Sequence, residues 1–139
     1  MFRVLDADSP ISKEDFLQFE EILGKKLPKT MLDFYLKHNG GQPQVRGVHD
    51  EHHLFPFNSF DSLEEMRKSM KWFDDEAVPA GFKATDLLHF AYDPGSGNYA
   101  LSLRAEDYGK VYFYVLEEKA ELYGQWPSFE DFLNSFVEE

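Results

Sequence analysis

Apolar residues in the first third of the chain recur at the three- and four-residue spacing of amphipathic helices. The segment Ser12-Lys13-Glu14-Asp15 resembles a capping box with Asp in the Glu position, so a first helix is predicted to begin near Ser12 and to end at Gly24. Pro28 suits the first turn of a second helix, which ends at Asn39-Gly40-Gly41. The apolar positions of the two helices are Phe16, Phe19, Ile22, Leu23, Met31, Leu32, Tyr35 and Leu36.

The middle of the chain combines an irregular region with a third predicted helix. Residues 42–60 contain Gly47 and Pro56, and residues 54–57 within them are expected to form an edge strand or a bulge. Asp61 or Ser62 is predicted to cap the third helix, and Pro79-Ala80-Gly81 closes the region. The apolar positions of this helix are Leu63, Met66, Met70 and Phe73.

From Leu87 onwards the apolar period changes from about 3.6 to about 2, which indicates a switch from helices to a sheet. Turns at residues 93–98 and 107–110 join three predicted strands into an antiparallel meander. The residues expected to share one face within each strand are Leu88, Phe90 and Tyr92, then Tyr99, Leu101 and Leu103, then Val111, Phe113 and Val115.

A closing helix completes the predicted fold. Ser128 is its predicted cap, and its apolar positions are Phe129, Phe132, Leu133, Phe136 and Val137. Helices followed by a meander and a last helix predict an α+β domain with helices packed on an antiparallel sheet. Because Tyr112 and Tyr114 alternate away from the Val111 face, the meander is apolar on both sides, and the second side is a candidate partner surface.

Length and composition limit the classes of protein to which the chain can belong. Its 139 residues suit one core, so residues 1–139 are expected to form a single domain. The absence of Cys excludes disulfides and thiol chemistry and fits a reducing compartment. Residues 1–8 show no cationic segment followed by an apolar run, and no apolar stretch is long enough to cross a bilayer. A soluble, cytoplasmic protein is therefore expected.

The formal net charge of -12 is unevenly distributed. Residues 1–70 carry nine Lys or Arg against twelve Asp or Glu, whereas residues 71–139 carry five against fourteen. Such a C-terminal half repels nucleic acid and anionic lipid and attracts a basic partner. A role in solubility alone is the alternative.

No segment of the chain has the spacing of a known catalytic or cofactor motif. His49-Asp50-Glu51-His52-His53 offers zinc ligand types, but an extended segment points neighbouring side chains to opposite faces, so no metal site is expected. Ser96 lacks the G-x-S-x-G spacing, and Arg104 stands where a calcium loop starting at Asp93 requires Glu. Neither catalysis nor a cofactor is predicted.

Two segments of the chain carry a distinctive pattern of residues. The first runs from Leu23 to Gly41, with a Leu-Gly-x-x-Leu-Pro entry into a helix and an Asn-Gly-Gly exit. The second runs from Phe90 to Leu103 and places an Asp and a Gly-rich turn between strands. The first segment resembles the signature of the SUKH superfamily, the Smi/Knr-like domains, and the second resembles the family's hairpin. Pro94 and Ser96 depart from that turn, where relatives often have glycine.

The resemblance implies an antiparallel sheet of five or six strands flanked by helices. It also implies an immunity protein that binds and blocks a toxin domain, often a nuclease, although other members are scaffolds in cell-wall and stress signalling. The family's marked residues fall at positions that read as structural: Gly24, Leu27, Pro28, Asn39, Gly40, Gly41, Asp93 and Gly97.

Charge and resemblance together predict neutralisation of a cognate toxin, with a basic partner docking on the acidic C-terminal half. The alternatives are a non-catalytic interaction module in a regulatory or cell-wall assembly, and a metal-dependent enzyme that uses His49, His52 and His53. For the tyrosines among the docking residues, the alternative is burial in the core. The residues expected to meet the partner are Glu106, Asp107, Glu117, Glu118 and Glu121, with Tyr112 and Tyr114 as aromatic anchors.

Overall fold

The structure, a computed structural model, describes residues 3–45 and 47–137. Met1, Phe2, Arg46, Glu138 and Glu139 lie outside the described residues. The α-helices of the described part are α1 (Lys13–Leu23), α2 (Lys29–Lys37), α3 (Leu63–Ser69) and α4 (Phe129–Leu133). The strands are β1 (Val4–Leu5), β2 (Gln42–Pro43), β3 (Gly47–His49), β4 (Leu54–Pro56), β5 (Ser59–Phe60), β6 (Leu87–Tyr92), β7 (Gly97–Ser102), β8 (Val111–Leu116), β9 (Ala120–Trp126) and β10 (Phe136–Val137).

Polar side chains cap the beginnings of α1, α3 and α4. Ser12 and Asp15 form the predicted capping box of α1, and Gly24, at φ 76°, ends that helix in the left-handed region. Ser62 caps α3 with Glu65 in the same reciprocal arrangement, and Ser128 caps α4. These three starts and the end of α1 are confirmed.

The central sheet has five antiparallel strands in the order β5-β6-β7-β8-β9. It contains the predicted meander of β6, β7 and β8 and extends it on both sides. Strand β9 was not predicted from the apolar period, because Glu121, Leu122 and Tyr123 are all exposed and give no alternation. The architecture is α+β, as expected.

Two smaller sheets lie outside the central one. β1 pairs with β2, and β3 pairs with both β10 and β4. Strand β4 therefore lies at the edge of its sheet, which confirms the edge strand expected at residues 54–57.

Two sequence-based expectations about helix ends and one about the faces of a strand are wrong. Helix α3 ends at Ser69 rather than reaching Phe73. Helix α4 ends at Leu133, and Phe136 instead pairs with Val48 as part of β10 while its ring packs 4.9 Å from that of Phe57. A register shift at Phe90 breaks the alternation of β6, so the side chain of Tyr92 is exposed.

The central sheet is covered on both faces. The main core lies between the helices and one face, and includes Phe34, Phe60, Phe90, Tyr99 and Phe132. The other face is covered by residues 74–86, called the strap below, which contain short 3-10 turns at Asp75–Ala77 and Ala84–Asp86. The apolar residues packed between the strap and the sheet are Val78, Phe82, Leu87, Ala100, Tyr112, Tyr114, Leu116 and Ala120.

Candidate functional site

The hairpin that joins β8 to β9 carries the exposed glutamates of the predicted partner surface. Glu117 and Glu118 lie in the turn, and Glu121 follows in β9; all three are exposed. Lys119 Nζ lies 4.0 Å from Glu121 Oε1, but both side chains are more than half exposed, so this pair contributes little attraction. Within the described chain, no ion pair is seen for Glu117 or Glu118.

Two apolar side chains extend this acidic surface along β9. Leu122 and Tyr123 are 42% and 52% exposed. The Tyr123 hydroxyl donates to Glu121 Oε2 at 3.1 Å, and this bond together with the negative charges of Glu121 and Glu117 raises the pKa of Tyr123. We call Glu117, Glu118, Glu121, Leu122 and Tyr123 the hairpin surface.

A shallow hollow of about 220 Å³ lies within the hairpin surface. Its wall is part apolar and part acidic, and Lys119 is its one basic lining residue. The hollow is therefore suited to the stem of a basic side chain. Its lining residues are Val115, Glu117, Glu118, Lys119, Glu121 and Tyr123.

Asp107 is not a free acidic group, contrary to its predicted place on the docking surface. Its carboxylate accepts hydrogen bonds from Arg104, at 3.0 Å from Nε and 2.6 Å from Nη2, and also from Ser102 and Tyr112. The Arg104 guanidinium holds the pKa of Asp107 well below its usual range, despite partial burial. The ion pair neutralises Asp107, whereas its neighbour Glu106 is exposed.

Tyr112 and Tyr114 are buried and do not reach the surface as aromatic anchors. The strap covers both: Tyr112 packs 5.2 Å from the Phe82 ring, and the Tyr114 hydroxyl donates to the carbonyl of Ala77 at 3.0 Å. Burial, with the hydrogen bond to Asp107, raises the pKa of Tyr112 to about 12, and burial raises that of Tyr114 further. The structure therefore places both rings in the core, which is the alternative weighed for them.

His89, for which the sequence predicted no role, lies on the face of the central sheet that the strap covers. Its ring stacks on Phe73 at 3.6 Å with an interplanar angle of 2°, and Nε2 lies 2.6 Å from the Tyr114 hydroxyl. With the hydroxyl proton donated to Ala77, Nε2 carries the ring proton of the neutral imidazole. Burial lowers the pKa of His89 to about 3. Alternation places His89 on the face opposite Leu88, but the sequence did not show that this face is covered.

The cluster at His49 to His53 is organised as a turn. Asp50 Oδ1 accepts the backbone N–H of His52 and of His53 at 2.9 and 2.8 Å. Burial alone would raise the pKa of Asp50, but these bonds and one from the Gln125 backbone lower it. The His52 and His53 side chains are 71% and 66% exposed. In residues 3–45 and 47–137, no group of three or more His, Asp or Glu side chains is placed to hold a metal.

The residues of the first family segment make contacts that hold the fold together. Leu27 is buried, and its N–H donates to Glu20 Oε2 at 2.6 Å. Asn39 is buried between the N-terminal segment and α3, donating to Ser9 O and accepting from the N–H of Leu63. Gly40 has φ 80°, and a Cβ there would lie 2.6 Å from the backbone nitrogen of Ser62.

The remaining family positions lie at turns and helix ends. Pro28 directly precedes α2, and Gly41 exchanges backbone hydrogen bonds with Phe60. Asp93 is buried, and its Oδ1 accepts the N–H groups of Gly95 and Gly97 at 2.8 and 2.7 Å. Each of these groups is engaged within the chain rather than presented to a substrate.

The capped helices, the Asn-Gly-Gly corner and the Asp-anchored hairpin define an α+β domain of the SUKH superfamily. The chain belongs to the SMI1 / KNR4 family (SUKH-1), whose family model matches residues 10–135. Proteins of this superfamily are generally non-catalytic immunity proteins, and the family is consistent with an immunity-type or interaction module. No curated protein matches the chain.

None of the helices in residues 3–45 and 47–137 combines the length and the apolar character that spanning a bilayer requires.

Proposed function

We propose that this chain is an immunity protein that binds a cognate toxin domain, in the first instance a nuclease, and neutralises it by direct contact. The family is consistent with this role. The observation that carries the proposal is the hairpin surface, where exposed carboxylates lie beside exposed apolar side chains.

The charge of the hairpin surface suits a partner that itself binds nucleic acid. Glu117, Glu118 and Glu121 outnumber Lys119, which leaves a local formal charge of about -2. A nuclease needs a basic surface to hold phosphates, and the acidic surface competes for those same cations. Covering that surface excludes the substrate without any chemistry by the immunity protein.

The apolar part of the hairpin surface supplies the short-range contribution to binding. Leu122 and Tyr123 offer an aliphatic and an aromatic side chain that a partner can desolvate. Aromatic side chains buried at an interface contribute strongly to its free energy, whereas exposed rim charges mainly accelerate association. We therefore propose that Tyr123 contributes mainly to the affinity for the partner. Glu117 and Glu118 mainly increase the rate of association.

The test begins with affinity purification from the native host and identification of a toxin whose activity the chain inhibits. Association kinetics are then measured for the double variant Glu117→Lys, Glu118→Lys. Both side chains are exposed, so the fold should persist while the association rate falls about tenfold or more and becomes less dependent on salt. The matched control is Glu14→Lys, Glu21→Lys on α1, which makes the same change in net charge.

Two results would contradict parts of this proposal. If association with the verified toxin were the same in both double variants, the hairpin surface would not be the docking site. A partner that binds tightly while keeping its full activity would instead indicate the alternative, a non-catalytic interaction module in a regulatory or cell-wall assembly. Trp72, 83% exposed on the segment after α3, is an exposed aromatic outside the hairpin surface that such a module would use for another partner.

A further inference from the structure

The two ends of β9 differ in what covers the edge of the central sheet. At the Gly124–Trp126 end, other segments of the chain pack against β9, and the Phe55 ring covers the face of the strand so closely that a Cβ on Gly124 would be 2.6 Å from it. The Trp126 indole N–H donates to the carbonyl of His49 at 2.9 Å, and the Gln125 backbone N–H is bonded to the Asp50 carboxylate. This end of the edge is closed.

At the other end, Ala120 to Tyr123 form an open edge. In the described residues, the backbone pairing of this stretch runs to β8 alone, with Leu116 opposite Ala120, Val115 opposite Glu121 and Tyr114 opposite Leu122. Successive strand residues point to opposite faces, yet Glu121, Leu122 and Tyr123 are all exposed. Both faces of the strand are therefore in solvent from Glu121 to Tyr123, while Ala120 packs in part against the strap.

The same stretch carries features that discourage pairing with a second copy of this chain. The register shifts between Phe113 and Tyr114, so β9 has an extra residue there and is bulged. A like strand brought alongside would also place its own Glu121 near that of the first copy. The bulge at Tyr123 limits regular pairing to Ala120–Leu122 for any added strand, whereas the charge of Glu121 acts against a like strand alone. An added strand that carries Lys or Arg would instead be attracted by the carboxylate of Glu121.

We propose that the open edge of β9, from Ala120 to Tyr123, binds an extended lysine- or arginine-containing segment of the partner as an added strand. The inference rests on the proposed function for the acidity of the docking surface and adds how the partner binds it. The added strand forms backbone hydrogen bonds to β9. Its basic side chains lie beside Glu121 and in the hollow at Glu117 and Glu118, and an arginine stacks on the Tyr123 ring.

The experiment uses two synthetic peptides added to the whole protein. The first is a short capped peptide of alternating lysine and valine, and the second is the same peptide with every interior amide nitrogen methylated. The two have the same charge, but the second has no interior N–H donors and cannot pair along a strand. Binding is followed by nuclear magnetic resonance titration, and amide hydrogen exchange is measured residue by residue.

Strand addition predicts that the first peptide binds and slows exchange of outward-facing amides within residues 120–123. It also predicts that methylation weakens binding about tenfold or more, because at least one or two backbone hydrogen bonds are lost. The variant Glu121→Gln should weaken binding of the first peptide by about two- to threefold, whereas the matched control Glu14→Gln on α1 should leave it unchanged. Both positions are exposed, so neither variant threatens the fold.

Equal binding of the two peptides, unchanged exchange at residues 120–123, or no binding of the first peptide would each overturn strand addition. None of these results would change the outcome of the charge-reversal test with the verified toxin. The proposed function is therefore tested independently of strand addition. Failure of that charge-reversal test would show that the acidic surface is not where the toxin docks.

Discussion

The two faces of the central sheet are covered by different means. The helix face packs against aromatic rings, and the ring of Phe132 is fully buried among them. Its ring centre lies within 5.5 Å of the ring centres of Phe90, Tyr99, Trp126 and Phe136. The strap face combines apolar contacts with directional ones. Tyr114 bonds to Ala77, and Arg104 donates to Gly81 O at 3.3 Å while its guanidinium lies 3.9 Å from the Phe82 ring centre.

This difference shows how a segment without α-helices or strands, such as the strap, can cover a sheet. Burial of apolar area is non-directional and holds helices whose own backbone groups are already paired. The strap has only short 3-10 turns, so its carbonyl groups need partners, and side chains of the sheet supply them. The helix face should therefore be sensitive to lost volume and the strap face to lost hydrogen bonds.

The largest expected effect is on the helix face. Phe132→Ala removes a ring from the centre of the main core and should lower the free energy of unfolding by about 3–5 kcal/mol. Urea denaturation measures it, with Phe132→Leu as a control that keeps most of the volume and costs clearly less. A loss below about 1 kcal/mol for Phe132→Ala would mean that the aromatic cluster is not the principal source of stability.

A smaller effect is expected on the strap face from Tyr114→Phe, which changes one atom. Without the hydroxyl, the Ala77 carbonyl and His89 Nε2 are left unpaired in a buried place, so the free energy of unfolding should fall by about 1–3 kcal/mol. Tyr92→Phe is the matched control: it makes the same change on an exposed ring of β6 and should cost less than about 0.5 kcal/mol. Equal losses in the two variants would show that the strap is not held by this bond.

The last expected effect depends on pH and comes from His89. Its pKa is about 3 in the folded chain and about 6.5 when unfolded, so the unfolded chain binds more protons between these values. Stability contributed by the neutral imidazole is therefore present above about pH 6.5 and is lost as pH falls through this window, by up to about 1.4 kcal/mol per pH unit. Asp61 acts in the opposite direction, since burial and then Glu65 raise its pKa to about 7.

Comparing the wild type with His89→Gln at pH 7 and pH 5 isolates the histidine, because Asp61 is present in both proteins. The variant should be the less stable at pH 7, and the gap should shrink or reverse at pH 5. A gap that stays constant between the two pH values would show that His89 titrates in the folded chain as it does in the unfolded one.

The sequence by itself determined the features that depend on near neighbours. Ser12 and Ser62 cap helices through bonds to residues three positions ahead, and Gly24 ends α1 because it accepts a positive φ. The strands of the meander follow from the alternation of apolar residues. The two family segments predicted the α+β fold class and the family to which the chain belongs. The excess of Asp and Glu over Lys and Arg in the C-terminal half could be counted directly from the sequence.

Only the tertiary structure decided which of those acids and rings reach a partner. The ion pair of Asp107 with Arg104 joins residues three positions apart, whereas Tyr112 and Tyr114 are buried by residues more than twenty positions away in the chain. Phe136 leaves the helical pattern because pairing with β3 and packing on Phe57 outweigh its local preference. The bulges at Phe90 and in β9 change which side chains face solvent. Such outcomes depend on contacts between distant segments, which a local pattern does not contain.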